Sequence, residues 1–228
     1  MNCFSNVVHN NKMSYEINGE NMFINEIDDI SEPKYYEILQ KVRTIDFGHF
    51  FDQPVNNIPN NVRSLTFGQC FNHPLDNLPD EIEEIIFDQN QYFKHPLDNL
   101  PAGLKFLSLN HDIQDGEYYP LDNLPCGLER LEIMGFFNHP LNNLPPMLKV
   151  IDLRDADEFN HPLLDLPDNL EKLYLGKNYQ QPISKIPLKL KKIKIHISYL
   201  WKDQLLTILS EQKMLFSIVK YYADFRDF

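Results

Sequence analysis

One pattern of apolar and polar positions recurs eight times along the chain, in the form apolar-x-x-apolar-x-apolar. The copies begin with Val42-Ile45-Phe47 and Val62-Leu65-Phe67 and end with Leu190-Ile193-Ile195. The alternation at the end of each copy is typical of a short β-strand with one buried face. Because the copies return at a spacing in the low twenties, the pattern predicts one strand in each coil of a solenoid.

Two prolines lie five residues apart between successive strands, in seven copies that run from Pro54/Pro59 to Pro182/Pro187. Proline lacks the backbone N–H that a helix interior needs, so we expect extended or turn-like return segments. Three apolar columns of these segments are predicted to point into the core. They are Phe51, Phe71, Phe93, Phe137, Phe159 and Tyr179; Val55, Leu75, Leu97, Leu121, Leu141, Leu163 and Ile183; and Ile58, Leu78, Leu100, Leu124, Leu144, Leu166 and Ile186.

One polar column also recurs in the return segments, at Asn57, Asn77, Asn99, Asn123 and Asn143. An asparagine amide can hydrogen-bond to backbone groups in a turn and to its equivalents in neighbouring coils. We therefore predict that this column satisfies polar groups that stacking of the coils would otherwise bury.

The two ends of the chain depart from the repeat and are predicted to cap it. Residues 14–27 indicate a hairpin around Asn18-Gly19, and Pro33 opens a short helix. From Lys202 to Asp224 the apolar residues have helical spacing, which predicts one or two capping helices.

The predicted fold is an α/β solenoid that is mainly β. It is a curved leucine-rich-repeat-like array of eight short parallel strands with proline-rich, non-helical returns, an N-terminal hairpin cap and a C-terminal helical cap. The predicted divisions are an N-terminal segment and cap at 1–41, repeats at 42–195 and a helical cap at 196–228.

The return unit reads FNHPLDNLP at 71–79 and recurs closely at 94–101, 137–145 and 159–167. Over about residues 42–195 the chain resembles FNIP repeat proteins, leucine-rich-repeat relatives that are abundant in social amoebae and in giant viruses of amoebae. The resemblance implies one of these sources, and a host protein as the partner if the source is a virus. Some viral members carry an N-terminal F-box, but residues 1–41 lack its Leu-Pro opening and its run of apolar helices.

The charge balance argues against nucleic acid and membrane surfaces as partners. The net charge is −12, from 33 acidic and 21 basic residues, which repels phosphate backbones and anionic lipids. Cys3, Cys70 and Cys126 are widely spaced and form no metal or disulfide motif. We therefore expect a cytoplasmic protein, located in the host cytoplasm if it is viral.

Histidine precedes the first proline in four coils, as His73, His95, His139 and His161. Stacked histidines could share a metal ion, but no carboxylate or thiol repeats beside them, so we interpret the column as stacked imidazoles. No phosphate-binding loop or catalytic motif is present. The sequence therefore predicts no metal, no cofactor and no enzymatic activity.

Variation between coils is concentrated at the two strand positions that point away from the core, on the concave sheet. Apolar, aromatic and charged side chains mix there, a composition found in protein interfaces. The candidate partner-binding residues are Ile86, Phe106, Arg130, Glu132, Val150, Asp152, Tyr174, Lys192 and Lys194.

The composition of this face favours a scaffold that binds a protein partner, and a monomer over a homo-oligomer. Two alternatives remain open. One is a substrate-recognition subunit of a ubiquitin ligase, and the other is a structural, self-assembling protein. The lysine run near residues 185–194 need not bind a partner, because its charges could keep the last strand from pairing with other chains.

Overall fold

The fold is one stack of coils closed at each end by non-repeat elements. The computed structural model describes residues 14–26, 30, 33–90, 92–111, 121–212 and 219–222. The strands are β1 (Ser14–Asn18), β2 (Asn21–Glu26), β3 (Thr44–Phe47), β4 (Ser64–Phe67), β5 (Glu84–Phe87), β6 (Phe106–His111), β7 (Arg130–Gly135), β8 (Val150–Leu153), β9 (Lys172–Leu175), β10 (Lys192–His196) and β11 (Val219–Tyr222). The helices are α1 (Pro33–Leu39) and α2 (Lys202–Glu211).

All eleven strands form one sheet whose order follows the chain from β1 to β11. The eight repeat strands, β3 to β10, are parallel, because each coil returns to the same edge before the next strand begins. This confirms the predicted solenoid and its proline-rich, non-helical returns.

The N-terminal cap is the predicted hairpin followed by the predicted short helix. Strands β1 and β2 are antiparallel, and Gly19 in their turn has a φ of +63°, a conformation that glycine adopts readily. Strand β2 then pairs in parallel with β3, so the cap continues the sheet. Helix α1 begins at Pro33, where proline is favoured because the first helical N–H has no partner within the helix.

The C-terminal cap is helical only in part. Helix α2 buries Leu205 and Leu209 as its spacing predicts. Val219 and Tyr222, however, lie in strand β11, which pairs in parallel with β10, so the helical prediction was wrong there. Leu215 and Ile218, from the same prediction, lie outside the described residues. An open strand edge favours another strand, because it leaves backbone N–H and C=O groups to be paired.

The three apolar columns of the return segments lie in the core, as predicted. Every member is buried except Leu78, Phe93 and Leu144, which are partly buried against the same cluster. The aromatic column is a nearly parallel stack. Its successive ring centroids are 6.3 Å apart for Phe51–Phe71 and 6.2 Å apart for Phe71–Phe93, and the stack extends through Tyr179 to Tyr199.

The polar residues of the Phe-Asn-His-Pro segment connect each coil to the preceding one. The Asn72 side-chain oxygen accepts a 2.9 Å hydrogen bond from the backbone N–H of Lys94, and Asn160 accepts one of 2.8 Å from Gln180. The Nε2–H group of His95 donates to the Asn72 backbone carbonyl at 3.0 Å, and that of His161 donates to Asn138 at 3.0 Å. The histidines therefore have a structural role in joining the coils.

The asparagine column from Asn57 to Asn143 is exposed, so the prediction that it satisfies buried groups was wrong. Two members do bond across coils. Asn99 donates to the Asp76 carboxylate at 3.0 Å and Asn123 donates to Asp98 at 2.9 Å, both at the surface. The bonds that join a side chain to the backbone of the next coil come instead from the asparagine that follows the phenylalanine, at half-buried Asn72 and exposed Asn160.

Tyr179 is the one tyrosine in a predicted column of phenylalanines, and among the described residues its buried hydroxyl makes only a weak approach to the backbone of Leu163 and no hydrogen bond of normal geometry. Burial raises its pKa. An unsatisfied hydroxyl costs free energy, so we expect Tyr179→Phe to raise the free energy of unfolding by about 1 kcal/mol. The measurement is urea denaturation followed by circular dichroism.

Tyr199→Phe is the matched control, because the Tyr199 hydroxyl donates a 2.9 Å bond to the Gln181 carbonyl. This variant should lose about 1 kcal/mol. If both variants moved stability in the same direction, the unsatisfied hydroxyl would not be the cause.

Cys70 is buried and disulfide-bonded, whereas Cys126 is free and exposed. The wide spacing of the cysteines gave no indication of this bond. Within the described ranges, neither helix is long and apolar enough to cross a bilayer.

Candidate protein-binding face

The side of the sheet turned away from the core is called here the open sheet face, and two rows of side chains form it. Strand register aligns each row from coil to coil, because parallel strands pair equivalent residues. The first row is Thr44, Ser64, Glu84, Phe106, Arg130, Val150, Lys172 and Lys192. The second row is Glu16, Phe23, Asp46, Thr66, Ile86, Ser108, Glu132, Asp152, Tyr174, Lys194 and Lys220.

All nine predicted partner-binding residues lie in these two rows, on strands β5 to β10. Four of them, Ile86, Phe106, Val150 and Tyr174, are half-buried. Charged side chains lie over the rings of Phe106 and Tyr174, so the face is a mixed aromatic and ionic surface.

The middle of the face contains a compact group of Phe106, Arg130 and Glu132. The Arg130 guanidinium carbon lies 5.0 Å from the centre of the Phe106 ring. The Arg130 Nε–H donates to the Glu132 carboxylate at 3.0 Å. This ion pair orients the guanidinium over the ring, where the ring's negative face attracts it.

A second group lies one coil further along and depends on Arg154, which the sequence reasoning missed. Arg154 donates from Nε to Asp152 Oδ1 at 2.8 Å and from Nη2 to Asp152 Oδ2 at 2.6 Å. Its guanidinium carbon lies 4.9 Å from the centre of the Tyr174 ring, and Lys192 Nζ lies 5.5 Å from the same ring. Two cations therefore lie against the Tyr174 ring, Arg154 from the position directly after β8 and Lys192 from β10.

The bidentate pair explains why Asp152 can be only 7% exposed on a surface face. Burying a carboxylate is costly unless a cation and its N–H donors compensate, and Arg154 supplies both. Hydrogen bonding to Asp152 raises the pKa of Arg154 further above its ordinary value. Burial in turn raises the pKa of the neighbouring Asp155.

At the N-terminal end of the face, Asp46 carries an unfavourable charge. Burial raises its pKa above the ordinary 3.8, and the negative charge of Asp88 raises it further. Because its pKa is raised in the folded state, Asp46 loses its proton at a lower pH in the unfolded chain than in the folded chain. The free energy of unfolding therefore falls as the pH rises from 3.8 through the folded-state pKa.

We expect Asp46→Asn to raise the free energy of unfolding at pH 7 by about 0.5 kcal/mol, a small value because solvent screens this partly exposed group. The gain should vanish below pH 3.8, where the wild-type carboxyl is neutral in both states. Urea unfolding across this pH range measures it. A gain that is independent of pH would point to a packing effect.

Metal chemistry finds no support in the described part of the chain. No group of three or more His, Cys, Asp or Glu side chains there is placed to hold a metal ion. The histidine column, the sharpest metal candidate in the sequence, instead uses Nε2 of His73, His95 and His161 to bond backbone carbonyls.

Comparison with known proteins identifies the repeat. Residues 51–90 and 159–198 match the family model of the FNIP Repeat. The units between these stretches share the same proline spacing. No curated protein matches the chain.

Among solved structures, the chain is similar to CroV588, described as a novel circular LRR protein. The two are 20% identical, with a TM-score of 0.34. The similarity covers 79% of this chain and 41% of that one, so this chain spans well under half the length of its solved relative.

Proposed function

This chain is an FNIP repeat protein with a leucine-rich-repeat-like solenoid fold, and we propose that it works as a protein-interaction scaffold that binds a protein partner through the open sheet face. The observation that carries the proposal is the contrast between the two sides of the coil. The core columns stay aromatic or aliphatic from coil to coil, whereas the open sheet face mixes acidic, apolar, aromatic and basic residues from strand to strand. Stacking explains the regular columns, but it does not explain the particular residues on the face.

The groups at the centre of the face suit binding to another protein. Arginine and aromatic side chains are enriched among the residues that dominate binding energy, and here they are already oriented by Glu132 and Asp152. Pre-organised side chains lose less conformational freedom on binding. We further propose that the protein acts by binding alone, without catalysis, as is typical of such repeat scaffolds.

The test is affinity capture of partners from the cells that naturally contain the protein. We expect the double variant Phe106→Glu, Tyr174→Glu to reduce the captured partner at least tenfold, because it replaces both aromatic anchors with charge. Circular dichroism must show an unchanged fold. Purified partner and scaffold should then reproduce the loss in a direct binding titration.

The matched control introduces the same charges on the return segments. Met147 and Leu188 are 46% and 80% exposed, so Met147→Glu, Leu188→Glu should leave capture unchanged. Equal loss in both double variants, or no loss in either, would contradict binding through the open sheet face. A chain that captures only itself would instead favour the self-assembling alternative.

For location, we propose the cytoplasm, which would be the host cytoplasm if the source is a virus. The free, exposed Cys126 supports this, because exposed thiols persist in reducing compartments. The disulfide bond of Cys70 opposes it. Mass spectrometry of thiol-blocked protein taken directly from cells would show whether Cys70 is oxidised there, which would oppose a cytoplasmic location, or reduced, which would support it.

A further inference from the structure

The open sheet face separates its charges along the stack of strands. Its first five strands, β1 to β5, carry carboxylates and no basic side chain in the two described rows. Its last three, β9 to β11, carry lysines and no carboxylate in those rows. The acidic end consists of Glu16, Asp46 and Glu84, with Asp88 directly after β5, and the basic end consists of Lys172, Lys192, Lys194 and Lys220.

The charge of the basic end is opposite in sign to that of the whole chain, whose net charge is −12. Its lysines are paired with one another by the strand register, Lys172 with Lys192 and Lys194 with Lys220. Adjacent strands lie about 4.8 Å apart, and like charges directly opposite each other across strands are destabilising. The folded protein therefore maintains a repulsion that an acidic partner would relieve.

Two of the described acids near this end are bonded to other cations. Asp152 is held by Arg154, and Glu171 forms a 2.8 Å ion pair with Lys191. Among the described residues, no carboxylate forms an ion pair with Lys172, Lys192 or Lys220. These three lysines therefore have no carboxylate within ion-pair distance in this part of the chain.

At the acidic end the carboxylates also repel one another, as the influence of Asp88 on Asp46 shows. The carboxylates of Asp46, Glu84 and Asp88 are centred on β4 and the lysines on β10. These two strands are six strand spacings apart, or about 29 Å. The aromatic and arginine groups of β6 to β9 lie between them. A single elongated ligand could therefore contact both ends and the anchors together.

We infer that the partner is an elongated protein segment that lies across the strands, with a basic cluster over β3–β5 and an acidic cluster over β9–β11, the two about 29 Å apart. This inference rests on the proposed function, because it takes the open sheet face as the binding surface. It adds the partner's charge order and its spacing.

The probe is a synthetic peptide of four lysines, five prolines and four glutamates. A proline spacer is extended and stiff, about 3.1 Å per residue, which keeps the two blocks from pairing with each other. With blocks of about 13 Å, the block centres are about 29 Å apart. One comparison peptide has twelve prolines, which places the blocks too far apart, and another replaces the lysines with serines.

We expect the matched peptide to bind at least tenfold more tightly than either comparison peptide at low salt, because both ends contribute at once only at the right spacing. Isothermal titration or fluorescence anisotropy measures the affinities. The variant Lys192→Gln, Lys220→Gln should remove the advantage. The control Lys185→Gln, Lys189→Gln, which changes lysines outside the two rows, should retain it.

Equal affinity for the three peptides, absence of binding, or loss in the control variant would overturn the inference. Salt-sensitive dimers of the protein alone, seen by light scattering, would also overturn it, because the occupant would then be a second copy. If the peptides do not bind as expected but the Phe106→Glu, Tyr174→Glu variant still loses the natural partner, the charge order inferred for the partner is wrong. The proposed binding through the open sheet face is then still supported.

Discussion

Replacing Phe71 with alanine should lower the free energy of unfolding by about 3–5 kcal/mol, the largest loss that we expect from a single core substitution. The Phe71 ring is fully buried. Its centroid lies 4.1 Å from that of Phe67 in the same coil, and 6.3 Å and 6.2 Å from those of Phe51 and Phe93 in the coils on either side. Alanine would leave a cavity that spans three coils.

The loss should also change how the protein unfolds. In a solenoid each coil is stabilised mainly by its two neighbours, so weakening one coil uncouples the parts on either side. We expect urea unfolding of Phe71→Ala to separate into two transitions, with β1 to β4 unfolding first. Circular dichroism and hydrogen exchange of the β3 and β9 amides would measure the two parts separately.

Phe50→Ala is the matched control, because Phe50 is 46% exposed and its ring contacts only His49 among the described aromatic residues. This variant should lose less than about 1 kcal/mol and keep a single transition. A similar loss in both variants would mean that the stack is not the main source of stability.

The repeat could be predicted well from the sequence because the same residue pattern occurs in every coil. A proline pair and three apolar columns that recur in every coil allow little except a stacked strand and an extended return. The same repetition placed the candidate residues in the two rows of the open sheet face, since strand register follows from the period. Prediction failed at the C-terminal end and at individual polar residues.

The three failures have separate physical causes. Val219 and Tyr222 belong to a four-residue strand, and spacing over four residues does not distinguish a strand from a helix. Asn57 and Asn72 both recur in the return unit, but an irregular return has no period that tells which amide bonds to the backbone of the next coil. Arg154 lies just beyond its strand, so the alternation that predicted the open sheet face did not include it.

The coil after β5 is two residues longer than the coil before it, and Asn90 accommodates the extra length. This asparagine is 2% exposed. Its side-chain N–H groups donate to the carbonyls of Gly68 at 2.8 Å and Phe71 at 3.0 Å. Its side-chain oxygen accepts from the backbone N–H groups of Tyr92 at 3.1 Å and Phe93 at 2.8 Å. One amide thus bonds to four backbone groups, two in the longer loop and two in the preceding coil.

We expect Asn90→Leu to lower the free energy of unfolding by about 3 kcal/mol, because leucine fills the space but leaves buried donors and acceptors unsatisfied. Asn90→Asp separates the two halves of the network. The carboxylate can still accept from Tyr92 and Phe93, but it faces the carbonyls of Gly68 and Phe71 without a proton to donate.

The aspartate variant should therefore be destabilised at pH 7 and recover part of the loss as the pH falls, because a protonated carboxyl can donate one hydrogen bond. Its folded-state pKa would be raised, so stability is lost as the pH rises through that value. Urea unfolding of both variants at pH 7 and pH 4.5 measures the difference. Asn56→Leu, at an exposed position in a return segment, should lose little at either pH. If Asn90→Leu behaved like Asn56→Leu, the length of the coil would have to be accommodated by something other than the Asn90 amide.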